Sequence, residues 1–168
     1  RWHEIKMRCK KQNAFSAGSP KVEGNVPAEL NDLLRQLPMF KTCNMDLTQH
    51  LLKSSYFRTF QPAQIILAEG FPCSSLLVVI EGEAEFVVEG ETVETLKVGH
   101  YIGETHLMGL EQTFHHTLIS TSGTCFICEI ERNDFLASAD LFSEERMLFK
   151  KIMEQHSAAR LMEPGTIL

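Results

Sequence analysis

Residues 56–99 read YFRTF-QPAQ-IILAEG-FPCSS-LLVVI-EG-EAEFVV-EG-ETVETL-KVG, and this stretch decides the fold. Its apolar residues recur with a period near two and its runs are strand length. Turn signals interrupt it at short intervals. Two Glu-Gly pairs, at 81–82 and 89–90, each separate strand-like runs, because glycine supplies the positive φ that a tight hairpin needs. In 83–88, Ala84, Phe86 and Val88 alternate with Glu83, Glu85 and Val87, which predicts one dry and one wet face. Further strands are expected at Thr117–Ser120 and Cys125–Ile130. About eight short strands so closely spaced indicate a closed, antiparallel β structure.

Outward from this stretch the period changes. Leu30, Leu33, Leu34 and Leu37 sit at helical spacing after Pro27, and Pro38 ends that helix. Asn44 is placed to cap a second helix that buries Leu47, Leu51 and Leu52. Beyond the strands, Asn133–Ala139 predicts a short helix. Ser143 can cap a longer one with Glu144 and Glu145 at its positive end and Leu148, Ile152 and Met153 as its apolar stripe. The fold expected is mainly β with flanking helices: an antiparallel, jelly-roll-like β-roll, N-terminal helices and C-terminal lid helices.

The ends carry less information. Residues 1–12 hold Arg1, Lys6, Arg8, Lys10 and Lys11 against Glu4, and Trp2, Ile5 and Cys9 fall at helical spacing. A basic amphipathic helix that docks on a membrane surface or partner is one reading; a solvated linker end is the favoured one. Residues 13–27 lack periodicity and read as linker. The expected organisation is a basic segment and linker at 1–27, one domain at 28–160 and a disordered tail at 161–168.

The 168 residues are 43% hydrophobic and 23% charged, ordinary for a folded domain. The net charge of −6 makes nucleic acid a poor partner. No apolar run approaches the roughly 20 residues of a membrane span, and no signal peptide is visible. The chain starts without Met and reads as a piece of a larger protein. Its five cysteines, at 9, 43, 73, 125 and 128, form an odd, scattered set that suggests reduced thiols in the cytoplasm, including the cytosolic part of a membrane or cytoskeletal protein. Cys125 and Cys128 form a C-x-x-C string, but three residues apart on a strand puts them on opposite faces.

The segment with chemical content is Val98-Gly99-His100-Tyr101-Ile102-Gly103-Glu104-Thr105-His106-Leu107-Met108-Gly109. A glycine followed by a short helical turn points several backbone N–H groups in one direction, which suits an anion. The carboxylate of Glu104 accepts hydrogen bonds from a sugar hydroxyl. An anion nest beside one carboxylate fits a sugar phosphate. His100, His106, His115 and His116 lie close in sequence, yet no H-x-H pair places two on one strand face, so no metal site is expected. No nucleophile with a readable base appears, and no catalytic residue or enzyme activity is expected. Glu83 and Glu85 read as a solvated face.

From Leu30 to Phe149 the sequence resembles the cyclic-nucleotide-binding domain family, which includes the regulatory subunit of the cAMP-dependent kinase, the cyclic-nucleotide-gated channels and CAP-type regulators. The matching features come in order. They are Leu37-Pro38-Met39-Phe40; Phe60-Gln61-Pro62-Ala63-Gln64-Ile65-Ile66 with Glu69-Gly70; Leu77 to Gly82; Leu96 to Leu107; and Thr117 through Cys125 to Arg132 and Phe135. The resemblance implies that Gly103 and the amides of Glu104, Thr105 and His106 face a cyclic phosphate. It also implies that Glu104 takes the ribose 2′-hydroxyl and that Leu148, Phe149 and Ile152 lie on a mobile lid.

One departure matters. In ligand-binding members an arginine follows the glutamate by about nine or ten residues and pairs with the phosphate. Here those positions hold Thr113 and Phe114, and no arginine lies between Arg58 and Arg132. A charge-assisted phosphate pair contributes on the order of 1.5–3 kcal/mol, roughly ten- to hundredfold in affinity. His115 and His116 stand just beyond. Alternation on a strand would turn one of them into the pocket as a weaker, pH-dependent donor, or both are ordinary strand residues.

The function expected is a small-ligand sensor within a larger protein. It would bind a cyclic nucleotide or purine nucleoside weakly or atypically and signal through the C-terminal helix. The alternative is a ligand-free module that contacts protein partners through the N-terminal segment or the C-terminal helix.

Overall fold

The computed structural model describes residues 26–121 and 123–162, with side chains to residue 158. The basic stretch 1–12 and most of the linker lie outside the described residues. Helices α1 (Ala28–Gln36) and α2 (Met45–Ser54) precede the strands. These are β1 (Tyr56–Phe60), β2 (Ile65–Leu67), β3 (Ser75–Glu81), β4 (Ala84–Val88), β5 (Glu91–Leu96) and β6 (Tyr101–Ile102). A one-turn helix α3 (Glu104–Leu107) comes before β7 (Thr117–Ser120) and β8 (Cys125–Glu131). Helices α4 (Arg132–Asp140) and α5 (Ser143–Met162) close the chain. The cap of α2 follows local chemistry: the Asn44 side chain accepts from the Asp46 N–H at 2.9 Å.

The eight strands form two antiparallel four-stranded sheets, ordered β1-β8-β3-β6 and β2-β7-β4-β5. Phe60, Leu77, Val79, Ala84, Leu96, Leu118, Cys125 and Ile127 fill the space between them. The other face of the first sheet presents Phe57, Leu76, Val78, Ile80, Phe126, Cys128 and Ile130 to the helices. This two-sided burial is why β3 reads LLVVI without alternation. It also separates Cys125 from Cys128, which lie in different cores. Burial pushes the Cys128 thiol up to about 12. Strand β5, at the edge of the second sheet, is exposed over residues 91–94 and carries Glu91 and Glu94 there, charges that discourage edge-to-edge pairing.

The helical side is knitted by three phenylalanines. Phe40 meets Phe135 and Phe149 at ring-centroid distances of 6.4 and 6.2 Å, and Phe135 meets Phe149 at 4.7 Å. Burying one such ring is worth roughly 1.5–3 kcal/mol. The Asn44 N–H also donates to Glu145 on α5 at 2.9 Å. Helix α5 runs to Met162, so Leu161 and Met162 are helical and not part of a disordered tail. No proline or glycine stands between Ser143 and Pro164 in the sequence.

Candidate functional site

One wall of the site is backbone geometry. Strand β6 pairs with β3 through Leu77 with Ile102 and Val78 with Tyr101, and the chain then turns at Gly103 with φ +91°. A Cβ at Gly103 would collide with the carbonyl oxygen of Ser75, so this turn requires glycine. Helix α3 follows at once. The Leu107 N–H donates to the Gly103 carbonyl at 2.8 Å and Met108 to that of Glu104 at 3.1 Å. The N–H groups of Glu104, Thr105 and His106 are first-turn donors without intrahelical acceptors.

The opposite wall is residues 111–116, strapped onto residues 70–73. The Cys73 N–H donates to Gln112 at 2.9 Å, Phe114 to Phe71 at 3.1 Å and Gly70 to Phe114 at 2.7 Å. Between the walls lies a cleft of about 350 Å³, lined by Phe86, Tyr101–His106, Glu111, Phe114, His115 and His116. Its floor is aromatic. The buried Phe114 ring lies 5.0 Å from His106 and stacks on Phe86 at 6.2 Å, and His116 meets Phe86 edge-on at 6.1 Å.

His106 is 4% exposed. Its Nε2–H donates to the Thr113 carbonyl at 3.0 Å; the tautomer follows because a carbonyl only accepts. Its Nδ1 faces the Thr105 hydroxyl at 3.5 Å and Glu111 at 3.8 Å. The Thr105 hydroxyl donates to the Glu111 carboxylate at 2.7 Å, and His115 lies 3.9 Å from the other Glu111 oxygen. Burial, and then the Glu104 carboxylate, raise the Tyr101 phenol above its ordinary value.

Among the described residues no Lys or Arg lines this cleft. Arg58 pairs with Glu129 at 2.8 Å, and Arg132 reaches the Met108 carbonyl at 3.5 Å. With neutral histidines the lining carries two negative charges, Glu104 and Glu111. The cleft offers stacking faces, clustered N–H donors and carboxylate acceptors, and no fixed cation to pair with a phosphate.

The structure brings Gly103, Glu104, Thr105, His106, Phe114, His115 and His116 together around the cleft. Thr113 does not line it; its side chain is exposed, while its carbonyl holds His106. His115 and His116 both line the cleft, which corrects the expectation that strand alternation would admit only one. They sit in a bend before β7, where alternation does not apply. Leu148, Phe149 and Ile152 pack in the helical core and not over the cleft. The sequence reading did not single out Phe86, Ile102 or Glu111 as site residues. Phe86 was legible as a dry-face residue of β4; Glu111 had no local signal.

The family profile for the cyclic nucleotide-binding domain matches residues 57–140. No curated protein matches the sequence. Among solved structures, the regulatory domain of Toxoplasma gondii PKA with cAMP is 19% identical, with a TM-score of 0.56 over 76% of this chain and 49% of that one. The regulatory subunit of a cAMP-independent protein kinase A from Trypanosoma cruzi, bound to guanosine, is 19% identical, with a TM-score of 0.59 over 72% and 44%. A triple mutant of the Trypanosoma brucei regulatory subunit, bound to cAMP in the A site, is 17% identical, with a TM-score of 0.57 over 70% and 44%. The chain thus spans about half the length of these neighbours. The profile match takes in half of the chain, with all of the strands but Tyr56, the glycine turn and both walls of the cleft, so the chain belongs to the cyclic nucleotide-binding domain family.

Proposed function

We propose that residues 28–160 form the ligand-sensing domain of a larger regulatory protein, without catalytic activity of its own. The cleft takes a neutral purine nucleoside in preference to a cyclic nucleotide. The observation that carries this is the lining itself: Glu104 stands ready for a ribose hydroxyl, and Phe114 and two carboxylates occupy the surroundings of a missing cation.

The trypanosome proteins support the same reading. One is a cAMP-independent kinase subunit bound to guanosine. In the other, the cAMP-bound mutant, a glutamate becomes alanine, a threonine 7 positions on becomes arginine, and the next residue, a valine, becomes alanine. Laid on Thr113, that spacing falls on His106, Thr113 and Phe114. These three residues touch here: His106 donates to the Thr113 carbonyl and lies against the Phe114 ring.

Signalling follows from packing. Helix α3 borders the cleft with Glu104 to His106 and buries Leu107 beside Met108 in the cluster that contains Phe135 of α4 and Phe149 of α5. A ligand that pulls on α3 changes the seat of α5 and shifts its population between docked and released positions.

Thermal unfolding with guanosine, adenosine, cAMP and cGMP tests this. A ligand at 100 times its Kd adds roughly 2.7 kcal/mol, which moves the midpoint visibly. Guanosine or adenosine should shift it more than either cyclic nucleotide, and Glu104→Ala should abolish the shift. The alternative, a ligand-free module for protein contacts, draws on Phe114 filling the cleft floor and on α5 being docked away from the cleft. A midpoint that none of the four compounds moves would favour it.

A further inference from the structure

We infer that Glu111 is a specificity-determining residue of the cleft, the group that turns away an anionic ligand; this rests on the nucleoside reading above. The argument starts from what its carboxylate touches. One oxygen accepts the Thr105 hydroxyl at 2.7 Å and lies 3.8 Å from His106 Nδ1; the other lies 3.9 Å from His115 Nε2. Its side chain is 25% exposed and lines the cleft from the wall opposite α3. It also lines a second, adjoining cleft of about 250 Å³ with His106, Cys73 and Arg132. Glu111 is therefore held in place from several sides.

The missing arginine alone makes this cleft indifferent to a phosphate. Glu111 makes it repulsive. A phosphate oxyanion on the first-turn amides of α3 would meet Glu104, which the nucleoside reading assigns to the ribose, and Glu111, whose carboxylate is held in place by the Thr105 hydroxyl. Two like charges a few ångströms apart near a protein surface repel by enough to change affinity roughly tenfold. A nucleoside carries no such charge, so Glu111 leaves it untouched or accepts one of its hydroxyls. Thr105 works with Glu111: by donating to it, the hydroxyl fixes the carboxylate and is itself withdrawn from any ligand oxyanion.

Calorimetric titration of guanosine and cGMP into the wild-type domain, Glu111→Gln and Glu111→Asp tests the inference. Gln keeps an oxygen for Thr105 and removes the charge; Asp keeps the charge and shortens the arm. Glu111→Gln should bind cGMP roughly tenfold more tightly than the wild type. It should bind guanosine within about twofold of it, while Glu111→Asp still discriminates against cGMP. If guanosine binds the wild type and Glu111→Gln gains nothing for cGMP, the role of Glu111 is overturned and the nucleoside reading stands. If Gln and Asp admit cGMP alike, the effect is one of packing and the inference is also overturned. If the wild type ignores guanosine but Glu111→Gln takes cGMP, the gate is upheld and the nucleoside reading fails. If no variant binds either compound, both fail.

Discussion

Between Tyr101 and His106 the cleft is built by the backbone, whereas between Glu111 and His116 it is built by side chains. The first wall is a strand end, a left-handed glycine and one helical turn, and its donors are amides. Its geometry is fixed by the approach of Gly103 to the Ser75 carbonyl. The second wall is a strap laid over residues 70–73. Its hydrogen bonds to that segment are also backbone bonds, so they hold with many side chains in place. The wall required by the fold carries the glycine turn, and the wall free to vary carries Glu111, Phe114, His115 and His116 and no Lys or Arg. The lining of the cleft can therefore change without any change of fold.

The largest test breaks the first wall. Gly103→Ala places a methyl group against a backbone oxygen at a φ that L-residues rarely adopt. Urea unfolding should show a loss of about 3 kcal/mol, the upper end of a strained backbone position. A loss below 1 kcal/mol would mean that β3 and the turn move apart easily, and the contrast between a fixed and a free wall would go.

The second wall should instead accept new chemistry. Thr113 is exposed, so Thr113→Arg leaves the Phe114 floor intact and adds the absent cation. Affinity for cAMP should rise roughly ten- to hundredfold, with stability within about 0.5 kcal/mol of the wild type. A variant that stays blind to cAMP would show that this wall cannot be rebuilt by one residue. A smaller effect concerns the floor. Phe86 and Phe114 stack with an interplanar angle of 19°. A double-mutant cycle of Phe86→Leu and Phe114→Leu should give a coupling of about 1 kcal/mol. No coupling would mean that Phe114 belongs to its strap alone.

The same contrast decides what the sequence made legible. Strands, the β4–β5 hairpin at 89–90, the Asn44 cap and the separation of Cys125 from Cys128 follow from local pattern and are present, but the Glu81-Gly82 turn joins strands of different sheets and closes no hairpin. The Gly103-Glu104 turn was readable because its meaning is local, a glycine before one helical turn. Glu111 was not, because it reaches Thr105, His106 and His115 only once residues 111–116 fold back over 70–73. His115 and His116 were named as candidates, but the strand alternation argued for them does not apply: the strand starts at Thr117, and both line the cleft from the bend before it. The helical stripe of α5 was legible, but not its direction. Phe149 is held by Phe40 and Phe135, partners more than ten residues away in sequence.

The smallest predicted effect tests whether the first wall turns Glu104 inward. Tyr101 lines the cleft, and burial first and the Glu104 charge second raise its phenol above the ordinary value. A raised folded-state value means that the neutral phenol is favoured on folding. Its contribution to stability is complete below the unfolded value near 10 and is lost as the pH rises through the higher folded one. Glu104→Gln removes the second cause and leaves the first. The Tyr101 ionisation, followed by phenolate absorbance and assigned with Tyr101→Phe, should move down toward the ordinary range without reaching it. The alkaline loss of stability should then begin to level off at a lower pH. An unmoved transition would mean that the carboxylate does not face the phenol across the cleft. The backbone-built wall would then present its amides but not its anion, and the proposal that Glu104 accepts a ribose hydroxyl would lose its support.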